Sequence, residues 1–193
     1  MRILKFVGAL VAVAVMSGCA HVISLSPDMN KISPDAGTQP IDASVAYYIP
    51  DDVLNKDVTT PGGGGDKVRY KPYKDLETAF YKMLTNVFTH VTKTTTPTPP
   101  ATDNIKYVIK PEITTTSSSP SAFTWPPTKF TTDLTCVITD ASGKPVTQVT
   151  VSGDGASEFS EFKNNLSLTA QRSTEATLLK MQSALLAAPV LRQ

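Results

Sequence analysis

The feature that most constrains this chain lies at its start. Arg2 and Lys5 precede an unbroken apolar or glycine run from Phe6 to Met16, followed by Ser17, Gly18 and Cys19. As a helix that run would span about 16 Å, whereas the hydrocarbon core of a bilayer is about 30 Å thick. A positive end, a short apolar run and small residues read as a secretory leader rather than a membrane span. Residues 1–18 are thereby set apart from the fold, and 175 of the 193 residues remain to build it. That length is enough for one ordinary domain with a real core.

Met16-Ser17-Gly18-Cys19 resembles the lipobox of bacterial lipoprotein precursors, an aliphatic residue and two small ones before an invariant cysteine. Met16 stands where Leu is commoner. The resemblance implies thioether lipidation of Cys19, cleavage before it and acylation of the new amino group. A thiolate is the side-chain nucleophile best suited to that alkylation. One acyl chain holds a protein marginally, while two or more signals hold it durably. By analogy with enterobacterial sorting, Ala20 rather than Asp after the cysteine favours the outer membrane, with the domain facing the periplasm. The covalent lipid is the only non-protein group expected, with no separate cofactor and no metal.

Without Arg2 and Lys5 the mature chain has 16 basic residues against 17 acidic. A near-neutral chain with interspersed signs lacks the electrostatic footprint of a nucleic-acid binder. With Cys19 lipidated, Cys136 is the remaining thiol, so no disulfide framework is available and stability must come from packing. Abundant Thr, Ser and Pro suit strands and exposed loops.

Residues 19–40 carry Pro27, Pro34 and Pro40 among polar residues and read as a lipidated N-terminus and flexible tether. A single α+β domain is expected over 41–190. Ile41–Pro50 alternates as a strand, with Ala43, Val45, Tyr47 and Ile49 on one face. Asp51–Tyr70 reads as a polar excursion containing Gly62–Gly65. A phosphate-binding loop is poorly matched there, because Asp66 separates the last glycine from Lys67 and Val68 replaces the hydroxyl. Four glycines read most simply as a flexible loop.

Asp75–Val91 is the clearest helix, with Leu76, Phe80, Met83, Val87 and Val91 on one stripe. Pro97, Pro99 and Pro100 cannot continue it, and Val91–Thr96 is a candidate short strand. Asn104–Ile113 alternates again, and Pro111 suggests an edge position or the end of pairing. Lys129–Asp140 and Val146–Ser152 read as a hairpin about the Asp140–Gly143 turn, ended by Gly153-Asp154-Gly155. A final helix is expected over Ser173–Ala188, with Ser173 as N-cap and Leu178, Met181 and Leu185 on its stripe. The order is strand-helix-strand-strand-strand-helix. It predicts a mainly antiparallel sheet of about four strands with two helices on one face.

Chemistry-bearing residues are sparse. His21 and His90 are the only histidines, too few and too distant for a zinc site, and His90 reads as a helix-end residue. Cys136, mid-strand among apolar neighbours, reads as a buried inert thiol. Glu158 and Glu161 read as a solvated segment rather than a catalytic pair. Trp125, beside Pro126-Pro127 in a polar loop, is the candidate partner or ligand contact, with a role covering one end of the core as the alternative. No catalytic set emerges, so an enzyme is not expected.

Several features together resemble small Gram-negative outer-membrane lipoproteins of the YajG type and, more distantly, the LptE-like group. These are the lipobox at Cys19, the strand Pro40-Ile41-Asp42-Ala43-Ser44-Val45 and the helix opening at Asp75-Leu76. The strand Asn104–Ile113, the Asp140–Gly143 turn and Gly153-Asp154-Gly155 complete the pattern. The resemblance implies a role in an envelope assembly. The expected protein is a non-enzymatic accessory lipoprotein, held to the membrane by its lipid and docking on another envelope protein. The alternative is a periplasmic ligand-binding module for lipid, glycan or peptidoglycan.

Overall fold

Alternating β-branched and apolar residues dominate the described chain, which comprises residues 20–120 and 126–193 of a computed structural model, and they fold into two sheets. The larger contains β2 (Ile41–Tyr48), β5 (Phe88–Thr94), β6 (Tyr107–Ser118), β7 (Lys129–Asp140) and β8 (Pro145–Ala156), in the order β5-β2-β6-β7-β8. The smaller contains β1 (Ala20–Val22), β3 (Val58–Pro61) and β4 (Lys67–Tyr70), in the order β1-β4-β3. Four helices complete the fold: α1 (Asp51–Leu54), α2 (Pro72–Val87), α3 (Phe159–Phe162) and α4 (Leu168–Leu186). The class is α+β, as expected.

The expected sheet of about four mainly antiparallel strands is corrected to a mixed one of five, with a second sheet of three. β2 runs parallel to both β5 and β6, while β6, β7 and β8 are antiparallel. The extra parallel strand exists because α2 stops sooner than its apolar stripe suggests. Phe88 already has extended dihedrals (φ −122°, ψ 149°), and Val91 lies on β5 rather than on the helix. Phe88 to Thr94 is rich in β-branched residues, which fit a half-buried sheet better than another helical turn. The helix begins earlier too, with Pro72 at its first position, where a missing N–H costs nothing.

The Asp51–Tyr70 excursion is also more ordered than expected, forming α1 and the β3–β4 hairpin. Pro111 lies at the expected end of pairing, on a strand that is interior in the sheet order. The β2 ladder reaches only Ile109, so Pro111 falls just past the end of that pairing and lies opposite Cys136 on the β7 side.

α2 and α4 cover one face of the large sheet. Phe80, Met83 and Leu84 from α2 and Leu178, Met181 and Leu185 from α4 meet Val45, Ile109, Leu134, Cys136 and Ile138 in the main core. A second, smaller core joins Ile23, Leu25, Val68, Tyr70, Leu76, Phe130 and Ala170 beneath the three-stranded sheet.

α4 differs most from expectation at its start. It begins at Leu168, and Ser173 is buried within it instead of capping it. Gly153 and Gly155 do not end the hairpin; they belong to β8 and face this helix. A Cβ at Gly153 would stand 2.7 Å from the Ser173 carbonyl oxygen, and one at Gly155 would stand 2.6 Å from the Ser173 nitrogen. The helix therefore rests almost on the β8 backbone. Ser173 Oγ uses that closeness to donate to the Gly153 carbonyl at 2.8 Å, and Thr177 Oγ1 donates to the Thr132 carbonyl at 3.0 Å.

The tether expected over 19–40 is corrected for residues 20–40, which pack as a strap across α2 and α4. Ile23, Leu25 and Ile32 are buried. Leu25 N donates to Asp75 Oδ2 at 3.0 Å, and the Leu25 carbonyl accepts from Thr174 Oγ1 at 2.6 Å. Farther along, Lys82 Nζ donates to the Met29 carbonyl and Gln182 Nε2 to the Ser33 carbonyl. Ile23, Leu25, Pro27 and Ile32 are the buried apolar residues of this stretch, and their spacing is not sustained beyond Pro27. The helices' polar side chains satisfy its backbone instead.

Candidate functional site

The strand registers gather one end of the molecule around the first described residue. Ala20 pairs with Lys67, and Lys67 pairs with Pro61 across the β3–β4 hairpin. Ser117 Oγ donates to the Pro61 carbonyl at 2.5 Å and lies 2.6 Å from Thr60 Oγ1. Ser118 pairs with Lys129, and Lys129 pairs with Ala156. Thus the start of β1, the Gly62–Gly65 turn, both flanks of the 119–128 connection and the exit of β8 follow one another along one end of the two sheets. Cys19 is one peptide unit before Ala20, about 3.8 Å away between Cα atoms. Cys19 itself and Trp125, the two candidate site residues of the sequence, lie outside the described residues; Trp125 belongs to the connection whose flanks meet here.

Gly62–Gly65 forms a hairpin turn. Gly62 N donates to the Asp66 carbonyl at 2.8 Å, and Gly64 and Gly65 take φ of 67° and 85°, a region glycine enters without a steric penalty. Lys67 then opens a strand, whereas a phosphate-binding loop would lead into a helix N-terminus. His21 Nε2 lies 3.4 Å from Asp66 Oδ2, joining β1 to this turn. Beside it is an open groove of about 680 Å³, lined by residues 59–67, Ser119 and Pro120.

The remaining candidates are dispersed. His90 lies on the exposed edge strand β5, not at a helix end, with Nδ1 3.3 Å from Thr89 Oγ1. Near it a second open groove of about 650 Å³ has a lining that includes Ser44, Thr85, Thr92 and Asp103. Cys136 is buried on the core face of β7, and burial pushes its thiol far above the ordinary range. Glu158 and Glu161 are structural: they form the capping box of α3. Glu161 also accepts from Arg172 at 2.7 Å, and that guanidinium holds its carboxyl down at about 2. Among the described residues no cluster of three or more His, Cys, Asp or Glu could hold a metal ion, and no helix is long and apolar enough to cross a membrane.

One buried carboxylate was not a sequence candidate. Asp75 is half-buried where the strap crosses α2, and desolvation raises its pKa against the opposing hydrogen bond from Leu25 N. Its signal in the sequence was only that of a helix first-turn acid; its partner lies 50 residues away.

The arrangement defines an α+β domain whose N-terminal strand is built into a sheet immediately after Cys19. No family model and no curated protein matches the chain. A solved structure of a Xanthomonas campestris protein, described by the family model DUF330, is similar at 11% identity and a TM-score of 0.48, covering 90% of this chain and 93% of that one.

Proposed function

We propose that this protein is a lipid-anchored envelope lipoprotein, a non-enzymatic accessory component that docks on another envelope protein from the outer membrane. The observation that carries the reading is the passage from the lipobox directly into β1. Ala20 is paired in a sheet one residue after the cysteine, so a lipid on Cys19 would hold the folded domain itself rather than a loose tail. The likeness to YajG-type lipoproteins supports the same envelope role. Metabolic labelling with a palmitate analogue tests the anchor: wild type is expected to label and Cys19→Ala not, and an unlabelled wild type refutes it. Crosslinking in intact cells tests the docking. Reproducible recovery of one envelope protein is expected, and recovery of the monomer alone counts against an accessory role.

The second reading, a binding module for lipid, glycan or peptidoglycan, is favoured by the groove beside the glycine turn and the connection that carries Trp125. Binding to purified envelope components would then fall in Trp125→Ala. Unchanged binding removes this version.

A further inference from the structure

We infer that the free edge of β5 is a self-docking surface, where a second copy of this chain adds its own β5 in antiparallel register. The inference goes beyond docking on another envelope protein and holds whether or not Cys19 carries a lipid. It starts from the outer strands, because an outer strand presents a row of unpaired N–H and C=O groups that another chain can pair with.

The described residues contain four outer strands, β1, β3, β5 and β8, and three of them are short or covered. β1 and β3 are three and four residues long, and the Pro61 carbonyl of β3 accepts from Ser117 Oγ. β8 is twelve residues long, but it opens on Pro145 and two of its carbonyls are taken by cations of α4. Lys180 Nζ donates to the Ser152 carbonyl at 2.7 Å, and Arg172 Nη1 to the Ala156 carbonyl at 2.8 Å. β5 differs. It runs for seven residues without a proline, and no lysine or arginine of the described residues donates to one of its carbonyls. Its one lysine, Lys93, is turned onto α2, where Nζ lies 2.5 Å from Glu77 Oε1.

The flank of this edge is poor in charge. α2 exposes Thr78, Tyr81 and Thr85, whose spacings of three and four put them on one side of the helix. Tyr81 is 43% exposed and leans on Tyr47 of β2, with ring centroids 6.2 Å apart. Tyr81, Thr85, Val91 and Thr92 line the open groove of about 650 Å³ beside His90. An exposed aromatic among uncharged residues, beside an unpaired strand, matches the centre of a protein interface, where charged residues are depleted.

The sequence of β5 itself points to the occupant. A two-fold rotation about Val91 sets Val91 against its own copy, His90 against Thr92, Thr89 against Lys93 and Phe88 against Thr94. No like charges stand opposite one another, and the β-branched Thr89, Val91, Thr92 and Thr94 suit cross-strand pairing. The two Lys93 positions stay about 13 Å apart along the strands, at about 3.3 Å per residue. Directly opposite residues share a face of a sheet, so both α2 helices lie on the same side and their Tyr81–Thr85 strips approach across the axis. The two five-stranded sheets then run on as one.

The test uses the purified mature chain in detergent micelles. Sedimentation velocity is expected to show a two-chain species that dissociates on dilution. Val91→Lys sets two ammonium groups opposite each other at the axis, and Tyr81→Lys brings two together on α2. Each is expected to raise the dissociation constant about ten-fold or more. If Val91→Lys loses the native circular dichroism, Tyr81→Lys, at an exposed helix position, decides alone. Disulfides read the register, since opposite residues of antiparallel strands have Cα atoms about 4.5–5.5 Å apart, within bridging range. Val91→Cys is expected to oxidise to a covalent dimer by itself, and Thr89→Cys and Lys93→Cys to bridge only when mixed. The wild type, with Cys19 and the buried Cys136, sets the background. A chain that stays monomeric at every concentration overturns the inference. So does a dimer that Val91→Cys fails to bridge, or one whose dissociation constant the folded lysine variants leave unchanged. Bridging of Val91→Cys to a protein of another mass in intact cells assigns the edge to that protein and also overturns self-pairing.

Discussion

Replacing Gly153 or Gly155 with alanine should destabilise the fold far more than one methyl group suggests. At an unconstrained strand position alanine is favoured over glycine by about 0.5–1 kcal/mol, because it loses less backbone freedom on folding. Here the added Cβ would lie 2.5 Å from the Thr177 nitrogen, for Gly153, or 2.6 Å from the Ser173 nitrogen, for Gly155. Carbon contacts are comfortable at about 3.5–4.0 Å, so α4 would have to retreat by about 1 Å. A gap of that size forfeits a quarter to a half of each dispersion contact it opens. The contacts at stake are those of Leu178, Met181 and Leu185 in the main core. Overpacking costs about 1–3 kcal/mol. Pulling Ser173 and Thr177 off the Gly153 and Thr132 carbonyls leaves buried polar groups unmet, at about 1–3 kcal/mol. A loss of about 3–5 kcal/mol is therefore expected for either variant, within the range of severe core lesions.

Urea denaturation followed by circular dichroism reads this directly. With a slope near 2 kcal/mol/M, the midpoint should fall by about 1.5–2.5 M. Ser152→Ala, exposed on the opposite face of the same strand, is the control and should stay within about 0.5 kcal/mol of wild type. If the glycine variants behave like Ser152→Ala, or become more stable, then α4 does not rest on the β8 backbone and the reasoning fails.

Leu25→Ala removes a fully buried side chain of the strap and should lower stability by about 2–5 kcal/mol in thermal unfolding; an unchanged midpoint would restore the flexible tether. The Glu161 carboxyl is held at about 2 by Arg172 and Glu158 N–H, below its unfolded value, so its contribution is present above the ordinary glutamate range near about 4.3 and is lost as pH falls through about 2. The NMR ring signals of Phe162 should report α3 loosening over that window, with Arg172→Gln moving the transition to higher pH; signals indifferent to both changes refute the clamp. Cys136 should react with a thiol reagent only at the rate of unfolding, since its thiol is buried and pushed upward, and reaction of the native protein at the rate of an exposed thiol would contradict the core placement.

Strong periodicities were legible wherever a segment makes its own case. β2, β7 and the middle of α2 are readable because each buries one face continuously, so apolar residues recur at the period of the element. Element ends were not. Val91 continues the helical stripe of α2 in spacing, yet Phe88–Thr94 is recruited as a strand by the open edge of β2, and that edge exists only once the sheet has formed. Gly153 and Gly155 look like a strand terminator until a helix nearly on top of them explains the missing side chains.

By itself the sequence determined the α+β class, and it supplied the local spelling on which the leader, the lipobox and lipidation of Cys19 are proposed. These are local or compositional properties, carried by neighbouring residues or by counts. The packing of residues 20–40 was decided by tertiary structure alone, because the donors and acceptors that hold the strap belong to Asp75, Lys82, Thr174 and Gln182 on two distant helices. Tertiary structure likewise decided which apolar residues stay exposed. Val22, Phe159 and Leu166 look ordinary in their own segments, and only the packing around each decides that it stays exposed.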